Sequence, residues 1–378
     1  MTKSQTVLRR KDTTSNSALY ISFDLGDKSW QISLGDDRFH VSRHSVAAGD
    51  TTAVAAHILN AAARFKISGR SEVYSVYEAG RDGWWFHRWL CELGVANIVV
   101  DPASIEVNRR ARQAKTDRLD ADKLLAMLIR HHAGERVWSV LHEPSREDED
   151  ARREHRELQR LTHERVAHTN RIGSLLVLHN LRPGVVIGGR DWPRWWHANR
   201  DQVPTLLRAE LERECERLKL VKDQVRAIEG AHRRELSEGK QPLVDQLVQM
   251  RAIGPKGAWV LVKEVFGWRT FANRRELASS LGLVPTPHAS GSIEREQGIS
   301  KAGNRRVRSL LVELAWSWLR LQPDSELTHW FNRRFACSGG RMRRVGIVAL
   351  ARRLAIALWR YLKDGEIPAG ANLKQTAA

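Results

Sequence analysis

The chain has 378 residues, a formal net charge of +18 at pH 7 and an isoelectric point near 10.4. This excess of Lys and Arg predicts a polyanionic partner, with nucleic acid as the first candidate. No stretch approaches the roughly 20 apolar residues of a transmembrane helix, and the polar N-terminus lacks the apolar core of a signal peptide. We therefore expect a cytoplasmic protein without a membrane partner, associated with the nucleoid when it is bound to DNA. Three widely separated cysteines form neither a zinc motif nor a disulfide framework: Cys91, Cys215 and Cys337.

The first third of the chain alternates strand and helix patterns. Apolar alternation and Gly/Asp turns predict three initial strands, then a helix, a strand, a helix, a strand and a helix. These segments are Leu19–Asp24, Ser29–Leu34, Arg38–Ser42, Thr51–Phe65, Ser71–Tyr77, Asp82–Leu93, Ala96–Val100 and about Thr116–His131. Three meandering strands before strand–helix alternation are typical of a ribonuclease-H-like (RuvC-like) α/β domain rather than of a Rossmann fold.

The middle of the chain predicts two long charged helices around a Pro/Gly turn. The first runs from about Glu143 to Leu181, a break at Arg182-Pro183-Gly184 continues through GGRDWPRWW, and the second helix runs from about Gln202 to Leu236. This pattern favours an antiparallel coiled-coil arm. A solvated linker and a clamp for dimerisation or nucleic acid are both compatible with it.

From Pro242 the sequence predicts a mainly helical C-terminal domain. The segment VQMRAIGPKGAWVLVKEVFG resembles a helix–hairpin–helix, although Ala252 replaces the usual first glycine of its turn, and plain packing explains it equally well. We divide the chain into a flexible basic arm at 1–17, a RuvC-like domain at 18–142, a helical connector at 143–240, a C-terminal domain at 241–365 and a flexible tail at 366–378.

Four carboxylates occupy positions that suit metal chemistry. Asp24 and Glu78 end the first and fourth predicted strands, and Asp117 and Asp120 lie one turn apart at the start of a helix. In a ribonuclease-H-like sheet these two strands are neighbours, so all four groups can converge near the helix. Oxygen ligands of this kind suit Mg²⁺ or Mn²⁺, and two ions about 4 Å apart can hold the attacking and leaving oxygens of a phosphodiester.

These residues also have other interpretations. The sequence Asp24-Leu25-Gly26 also suits the first phosphate loop of an actin-like ATPase, but no second Gly-rich Asp loop follows before the C-terminal region. Acidic residues at strand ends or in a first helical turn are also common without any chemistry. Asp122 points elsewhere on the predicted helix and is left out of the group. Lys115 and Arg118 are candidates for charge balance or phosphate contact.

Four segments together resemble the transposases of the IS110 family of insertion sequences. They are FDLGDKSWQISL, YEAGRDGWWFHRWL, KTDRLDADKLL and LGLVPTPHASGSIEREQGISKAGNRRVRSLLVELAW. The resemblance extends from about Leu19 to Leu362. It implies a RuvC-like domain of DEDD type, a helical connector and a C-terminal transposase domain. The acidic tetrad of that family falls on the four carboxylates already selected, with a magnesium-type metal as cofactor.

The resemblance also implies a serine nucleophile that forms a covalent phosphoserine with DNA. The matching residue is Ser290, and Ser292 is the alternative. Without the resemblance, Ser290 would be an ordinary residue of a Gly/Ser loop. Asp27 stands where a serine is frequent in the family, and this departure places an extra negative charge near the predicted metal site.

The implied partners are donor and target DNA, a structured noncoding guide RNA and further copies of the chain in a homodimer or homotetramer. A basic cluster at the start of an apolar helix is the candidate phosphate contact: Lys301, Asn304, Arg305, Arg306 and Arg308. The expected function is that of a metal-dependent recombinase that cuts and rejoins DNA strands for an insertion sequence. Two alternatives are a RuvC-like structure-specific endonuclease and a non-catalytic nucleic-acid-binding protein.

Overall fold

The structure, a computed structural model, describes residues 18–36, 40–65, 73–105, 117–290 and 293–374. For residues 117–119, 287–290 and 293–297 it describes the backbone alone. The basic arm at 1–17, Lys115 and Ser292 therefore lie outside the described residues. The chain divides into two compact units, Met1–Glu143 and Pro144–Ala378. Within the described parts of the chain, no helix is both long enough and apolar enough to cross a membrane.

The first unit is built on a mixed five-stranded sheet. Its strands are β1 Leu19–Leu25, β2 Ser29–Gly35, β3 Val41–Ala47, β4 Val73–Glu78 and β5 Ala96–Val100, in the order β3-β2-β1-β4-β5. β1, β2 and β3 pair antiparallel, whereas β4 pairs parallel with both β1 and β5. This order is compatible with the predicted ribonuclease-H-like domain.

Helices cover both faces of this sheet. Helices α1 Thr51–Arg64 and α2 Trp85–Glu92 cover one face, where Phe23, Trp30 and Phe86 form an apolar core. Helix α3 Asp117–His132 covers the other face through Leu124, Leu125 and Leu128. Alternate residues of a strand point to opposite faces, so β1, β4 and β5 contribute apolar side chains to both cores.

The second unit begins with an antiparallel helical arm. Its helices are α4 Arg146–Asp150, α5 Arg153–Val177, α6 Trp192–Asn199 and α7 Thr205–Ser237. Apolar residues of α5 and α7 pack against each other along the arm, with Leu161 against Val225 at one level and Ile172 against Leu211 at another. The break between the long helices contains α6, in which Trp192 stacks with both Trp195 and Trp196.

The rest of the second unit is a helical domain with one β-hairpin. Its helices are α8 Pro242–Gln249, α9 Pro255–Leu261, α10 Arg274–Ser280, α11 Arg305–Leu321, α12 Glu326–Phe335 and α13 Gly340–Asp364. The hairpin consists of β6 Pro285–Ser290 and β7 Ile293–Ile299. The largest apolar core of the chain lies here, around Trp259, Trp318 and Leu354.

The structure corrects several predicted segments. The third strand lies at Val41–Ala47 rather than at Arg38–Ser42, because β2 pairs along its full length with this later segment. Helix α6 lies within the region predicted as a break, and the hairpin β6–β7 lies within the region predicted as mostly helical. The tail, predicted as flexible from residue 366, is packed on the helical domain as far as Lys374. The Lys374 ammonium group donates hydrogen bonds to the carbonyls of Val248 and Ile253.

The turn between α8 and α9 has a glycine-like backbone although Ala252 stands in place of the usual glycine. Ala252 has a φ of 87°, in the region that favours glycine. The backbone therefore keeps the turn that the pattern requires, and the alanine carries the steric cost of about 1 kcal/mol.

Candidate active site

Two of the predicted carboxylates lie at the carboxyl ends of neighbouring parallel strands. Phe23 of β1 pairs with Tyr77 of β4, and Asp24 and Glu78 each follow by one residue. Phe23 and Tyr77 belong to the core under α1 and α2. Because side chains alternate along a strand, Asp24 and Glu78 belong to the opposite face, which α3 covers. Asp24 is half-buried and Glu78 is exposed.

Two hydrogen bonds orient α3 against β1. The Ser22 hydroxyl donates to the carbonyl of Ala121 at 2.6 Å, and the Tyr20 hydroxyl is 2.7 Å from Nδ1 of His132. Helix α3 therefore runs antiparallel to β1, with its N-terminus at the carboxyl end of the strand. Helix α3 begins at Asp117, of which only the backbone is described. Asp120, in the first turn of the helix, is half-buried.

The donor chemistry of this edge fits a hard divalent cation. Asp24 and Glu78 come from two strand ends and Asp120 from the start of α3, and carboxylate oxygens are the ligands that suit Mg²⁺ and Mn²⁺. Among the side chains that the structure describes, no group of three or more His, Cys, Asp or Glu is already gathered as a metal site. Asp24, Glu78 and Asp120 are among those side chains and that of Asp117 is not, so the tetrad as a whole stays a prediction.

Asp122 has a structural role on the same helix. Its carboxylate accepts hydrogen bonds from the Ser33 hydroxyl at 2.8 Å and from Nε of Arg43 at 2.9 Å. These bonds tie α3 to β2 and β3. They fix the helix on the sheet and account for Asp122 without a catalytic function.

The loops that follow the two strand ends are joined by an ion pair. Arg81, after β4, pairs with Asp27, after β1, and one of its nitrogens lies 3.9 Å from Asp82. Asp27 is the residue that departs from the family pattern. Its charge is therefore partly balanced by Arg81, beside the two strand ends that carry Asp24 and Glu78.

The predicted nucleophile lies on the hairpin of the second unit. Ser290 is the last residue of β6 and pairs with Ile293 of β7. At the other end of the hairpin, Pro285 pairs with Ile299, and the register shifts between Pro285 and Pro287. The structure thus places Ser290 at the tip of a hairpin whose base joins the helical core.

A close backbone crossing fixes the base of this hairpin. A Cβ added to Gly282 would lie 2.0 Å from the carbonyl oxygen of Ala302, and one added to Gly303 would lie 2.0 Å from that of Ser280. Both glycines have positive φ, 64° and 75°. Only glycine permits the two loops to cross this closely. Arg308 closes the crossing by donating to the carbonyl of Ala302 at 3.0 Å.

A buried carboxylate that the sequence analysis did not select lies beside this crossing. Glu264 is 1% exposed at its side chain and occupies a single π-helical turn, Val262–Phe266, after α9. It accepts from Nε and Nη2 of Arg156 at 2.7 and 2.8 Å, from Nδ2 of Asn304 at 2.9 Å, and lies 2.8 Å from Nε2 of His155. Burial acts to raise the pKa of Glu264, but the hydrogen bonds from Arg156 and His155 outweigh it and hold the pKa well below its usual range.

This carboxylate joins three parts of the second unit. Arg156 and His155 belong to the base of the arm, Glu264 follows α9, and Asn304 is the residue that caps α11, accepting from the backbone N–H of Val307 at 3.1 Å. The sequence signal was an acidic residue inside the apolar run WVLVKEVFG. Its partner Arg156 is 108 residues away, so spacing alone could not reveal the pair.

The structure separates the predicted phosphate contacts into two groups. Asn304 and Arg308 already bond to protein groups, and Arg306 lies 3.6 Å from Glu264. Lys301 and Arg305 are exposed and make no ion pair with any carboxylate that the structure describes. Arg118 begins α3, and its side chain is outside the description. The first group therefore has a structural role, whereas Lys301 and Arg305 stay candidates for phosphate.

The sheet order and the strand-end carboxylates are compatible with a ribonuclease-H-like enzyme of nucleic acids. Residues 244–329 match the model of the family described as "Transposase IS116/IS110/IS902 family". The protein y4rJ of Sinorhizobium fredii, which is named as a transposase, is 38% identical over 386 residues, covering 94% of this chain and 95% of that protein.

Two further relatives are more distant. The transposase for insertion sequence element IS1328 of Yersinia enterocolitica is 28% identical over 38% of this chain and 42% of its own. A 43.6 kDa protein of insertion element IS110 of Streptomyces coelicolor is 27% identical over 46% of this chain and 41% of its own. The near full-length match to y4rJ places the chain in a family: it belongs to the IS116/IS110/IS902 family of transposases.

Proposed function

We propose that this protein is a metal-dependent DNA recombinase that cuts and rejoins the strands of an insertion sequence through a serine nucleophile. The observation that supports the proposal is that Asp24 and Glu78 end neighbouring parallel strands at the edge where α3, which carries Asp120, begins. Membership of a transposase family supports DNA as the substrate.

The four carboxylates at Asp24, Glu78, Asp117 and Asp120 would hold the divalent cation. When bound, such an ion stabilises charge on the oxygens of a phosphodiester. Without the ion the carboxylates would repel a phosphate, so their role is to hold the ion at the sheet edge. Arg81 limits the extra negative charge of Asp27, which would otherwise repel the phosphate backbone.

The chemical step transfers a phosphodiester to the Ser290 hydroxyl. Its oxygen forms a bond to phosphorus, the bond from phosphorus to one sugar oxygen breaks, and the hydroxyl proton ends on the sugar oxygen that leaves. Rejoining reverses this exchange with the hydroxyl of another strand. The energy of the phosphodiester bond is thus kept in the phosphoserine, and no outside energy source is needed.

We further propose that a structured noncoding RNA guides the reaction and that two or four copies of the chain act together. The net charge of +18 suits two polyanions at once. The exposed side chains of Lys301 and Arg305 are our candidates for phosphate contact near the hairpin. The guide RNA would supply sequence specificity by base pairing.

A denaturant-resistant protein–DNA adduct is the direct test. The wild-type protein is incubated with element-end DNA, Mg²⁺ and RNA from the element's flank, beside Ser290→Ala, Ser292→Ala and Asp120→Asn. We expect an adduct with the wild type and with Ser292→Ala, and none with Ser290→Ala or Asp120→Asn. Glu135→Gln, a surface carboxylate of the same unit paired with Arg130, should leave the yield unchanged.

Other outcomes separate the alternatives. Cleavage without any adduct would identify a hydrolytic endonuclease and exclude the serine. Binding without cleavage in the wild type would identify a nucleic-acid-binding protein. An adduct that persists in Asp120→Asn would remove the metal site from the mechanism.

A further inference from the structure

A groove of about 1230 Å³ in the second unit is lined by more cationic than acidic side chains. It lies between α10, α12 and α13 and the base of the serine hairpin. Six of its cationic side chains make no ion pair with any carboxylate among the described residues. They are Arg274, Arg275, Lys301, Arg334, Arg352 and Arg353.

The two carboxylates of the groove already have partners. Glu326 lies 3.4 Å from Arg333, and Glu366 lies 3.8 Å from Arg360. Like charges held together without counter-charges repel each other, and this repulsion is relieved by a bound anion. Arg353 shows the effect: its burial, and then the nearby charge of Arg334, lower its pKa.

The floor of the groove is apolar and aromatic. Met342 and Val345 are 49% and 46% exposed there. The guanidinium of Arg353 lies 4.2 Å from the ring centroid of Trp330, and both residues line the groove. A fully paired duplex offers its phosphates to a protein but hides the faces of its bases. Unpaired nucleotides offer both phosphates and base faces.

One end of the groove is formed by Pro285 and Ile299, the paired residues at the base of the hairpin. From this combination we propose that the groove binds an unpaired strand of nucleic acid next to the hairpin that carries Ser290. Phosphates lie on the six cations, and bases lie on the apolar floor. This inference deepens the proposed function, because it places an unpaired strand beside the proposed nucleophile.

Binding of short oligonucleotides tests the groove without any cleavage. Fluorescein-labelled oligothymidine and oligouridine of about twelve nucleotides, a length within the usual range of single-strand sites, are titrated without divalent cations, beside a duplex of equal length. We expect the unpaired probes to bind more tightly than the duplex. The tighter of the two unpaired probes distinguishes a DNA strand from an RNA strand.

Adjacent arginines of α12 provide a matched pair of variants. Arg334→Gln removes a groove cation, whereas Arg333→Gln changes its neighbour, which does not line the groove and pairs with the groove carboxylate Glu326. Each lost phosphate contact should weaken single-strand binding about fivefold at 0.1 M salt and reduce the slope of log K against log salt by about 0.7. Arg333→Gln should leave the slope unchanged.

A triple variant should enlarge the loss of affinity. A crosslink locates the bound strand in the wild-type protein. Arg274→Gln/Arg275→Gln/Arg352→Gln should weaken binding about 100-fold, from three such contacts. Irradiation of the wild type with an iodouracil-substituted oligonucleotide should label α12 or the start of α13, near Trp330 or Met342. Unchanged affinity in the triple variant, equal binding of the duplex, or crosslinks confined to other segments would overturn the proposal.

These measurements separate the groove from the catalytic proposal. Oligonucleotide binding needs neither Ser290 nor the metal, so it should persist in Ser290→Ala and Asp120→Asn. A protein that binds the unpaired probes but never forms an adduct refutes the recombinase chemistry and leaves the groove standing. If the wild type forms an adduct but the groove variants bind oligonucleotides normally, the groove proposal is refuted and the recombinase chemistry stands.

Discussion

At the scale of single residues, Glu264 is the charge on which the second unit depends most. Its carboxylate is buried and receives hydrogen bonds from Arg156 and Asn304. Removing one partner of a buried ion pair leaves the other charge without compensation. We expect Glu264→Gln to lower the free energy of unfolding by about 3 kcal/mol in urea denaturation.

A second carboxylate provides the control for this effect. Glu157 belongs to α5, the helix that also carries Arg156. It is half-exposed and lies 4.0 Å from Arg160. Surface pairs of this kind contribute little, so Glu157→Gln should change the free energy of unfolding by less than about 0.5 kcal/mol. Equal losses of unfolding free energy in Glu264→Gln and Glu157→Gln would show that the hydrogen bonds around Glu264 contribute no more to stability than a surface ion pair does.

The lowered pKa of Glu264 also predicts how stability depends on pH. In the unfolded chain the group titrates near its ordinary value of 4.5, and in the folded chain its pKa is lower. The stabilisation is therefore complete above about pH 5 and is lost as the pH falls below the unfolded value. The wild type should lose stability more steeply than Glu264→Gln below about pH 5 in acid unfolding curves. Parallel curves would contradict the assignment.

The strand-end carboxylates could be found from sequence, whereas Glu264 could not. Asp24 and Glu78 each follow an apolar run, and the position of a strand end is a local property. The environment of Glu264 depends on His155 and Asn304, which reach it only through the packing of the arm on the helical domain. Sequence spacing carries no record of such a contact.

At the scale of elements, the glycine crossing at the base of the serine hairpin should tolerate no side chain. In Gly303→Ala the new Cβ would lie 2.0 Å from the Ser280 carbonyl at a φ of 75°. We expect a loss of at least about 3 kcal/mol and faster amide exchange in β6 and β7. Gly340→Ala, at the start of α13, meets no atom within 4 Å and should be neutral or slightly stabilising. Similar losses in the two variants would refute the crossing.

The turn between α8 and α9 predicts the opposite response to glycine. Ala252 has a φ of 87°, so Ala252→Gly removes steric strain and should raise the free energy of unfolding by about 1 kcal/mol. Ala227→Gly, on an exposed part of α7, should lower it by about 1 kcal/mol. Thermal unfolding of both variants measures the contrast, and destabilisation by Ala252→Gly would contradict this geometry.

The long elements were predictable and the short non-local ones were not. The strand Ala96–Val100 and the helix α1 follow clear apolar patterns, and the structure confirms both apart from one terminal residue of the helix. The segment PTPHASGSIEREQGI has Pro, Gly and charged residues instead of an apolar alternation. Its strands pair with each other, as in Pro285 with Ile299, and the sequence offers no apolar alternation that would reveal them. Helix α6 was missed because Gly and Pro dominate its surroundings.

At the scale of the whole molecule, the net charge of +18 opposes folding through self-repulsion. Surface ion pairs such as Arg160–Glu164 act in the other direction, but each contributes little. Salt screens both the repulsion among the excess cations and the attraction within surface ion pairs. With 62 Lys and Arg against 44 Asp and Glu, we expect the repulsion to be the larger. The midpoint of thermal unfolding should therefore rise between about 20 mM and about 300 mM NaCl, because the Debye length shrinks over this range.

A bound polyanion should stabilise the protein in the same way but more strongly. A single-stranded oligonucleotide adds binding energy to charge neutralisation, so the midpoint should rise with its concentration at low salt. This rise should fade as NaCl increases, since the salt competes for the same cations. A midpoint that falls with NaCl in the absence of nucleic acid would mean that attractive surface pairs outweigh the repulsion, and the excess of Lys and Arg would then need no polyanion to explain it.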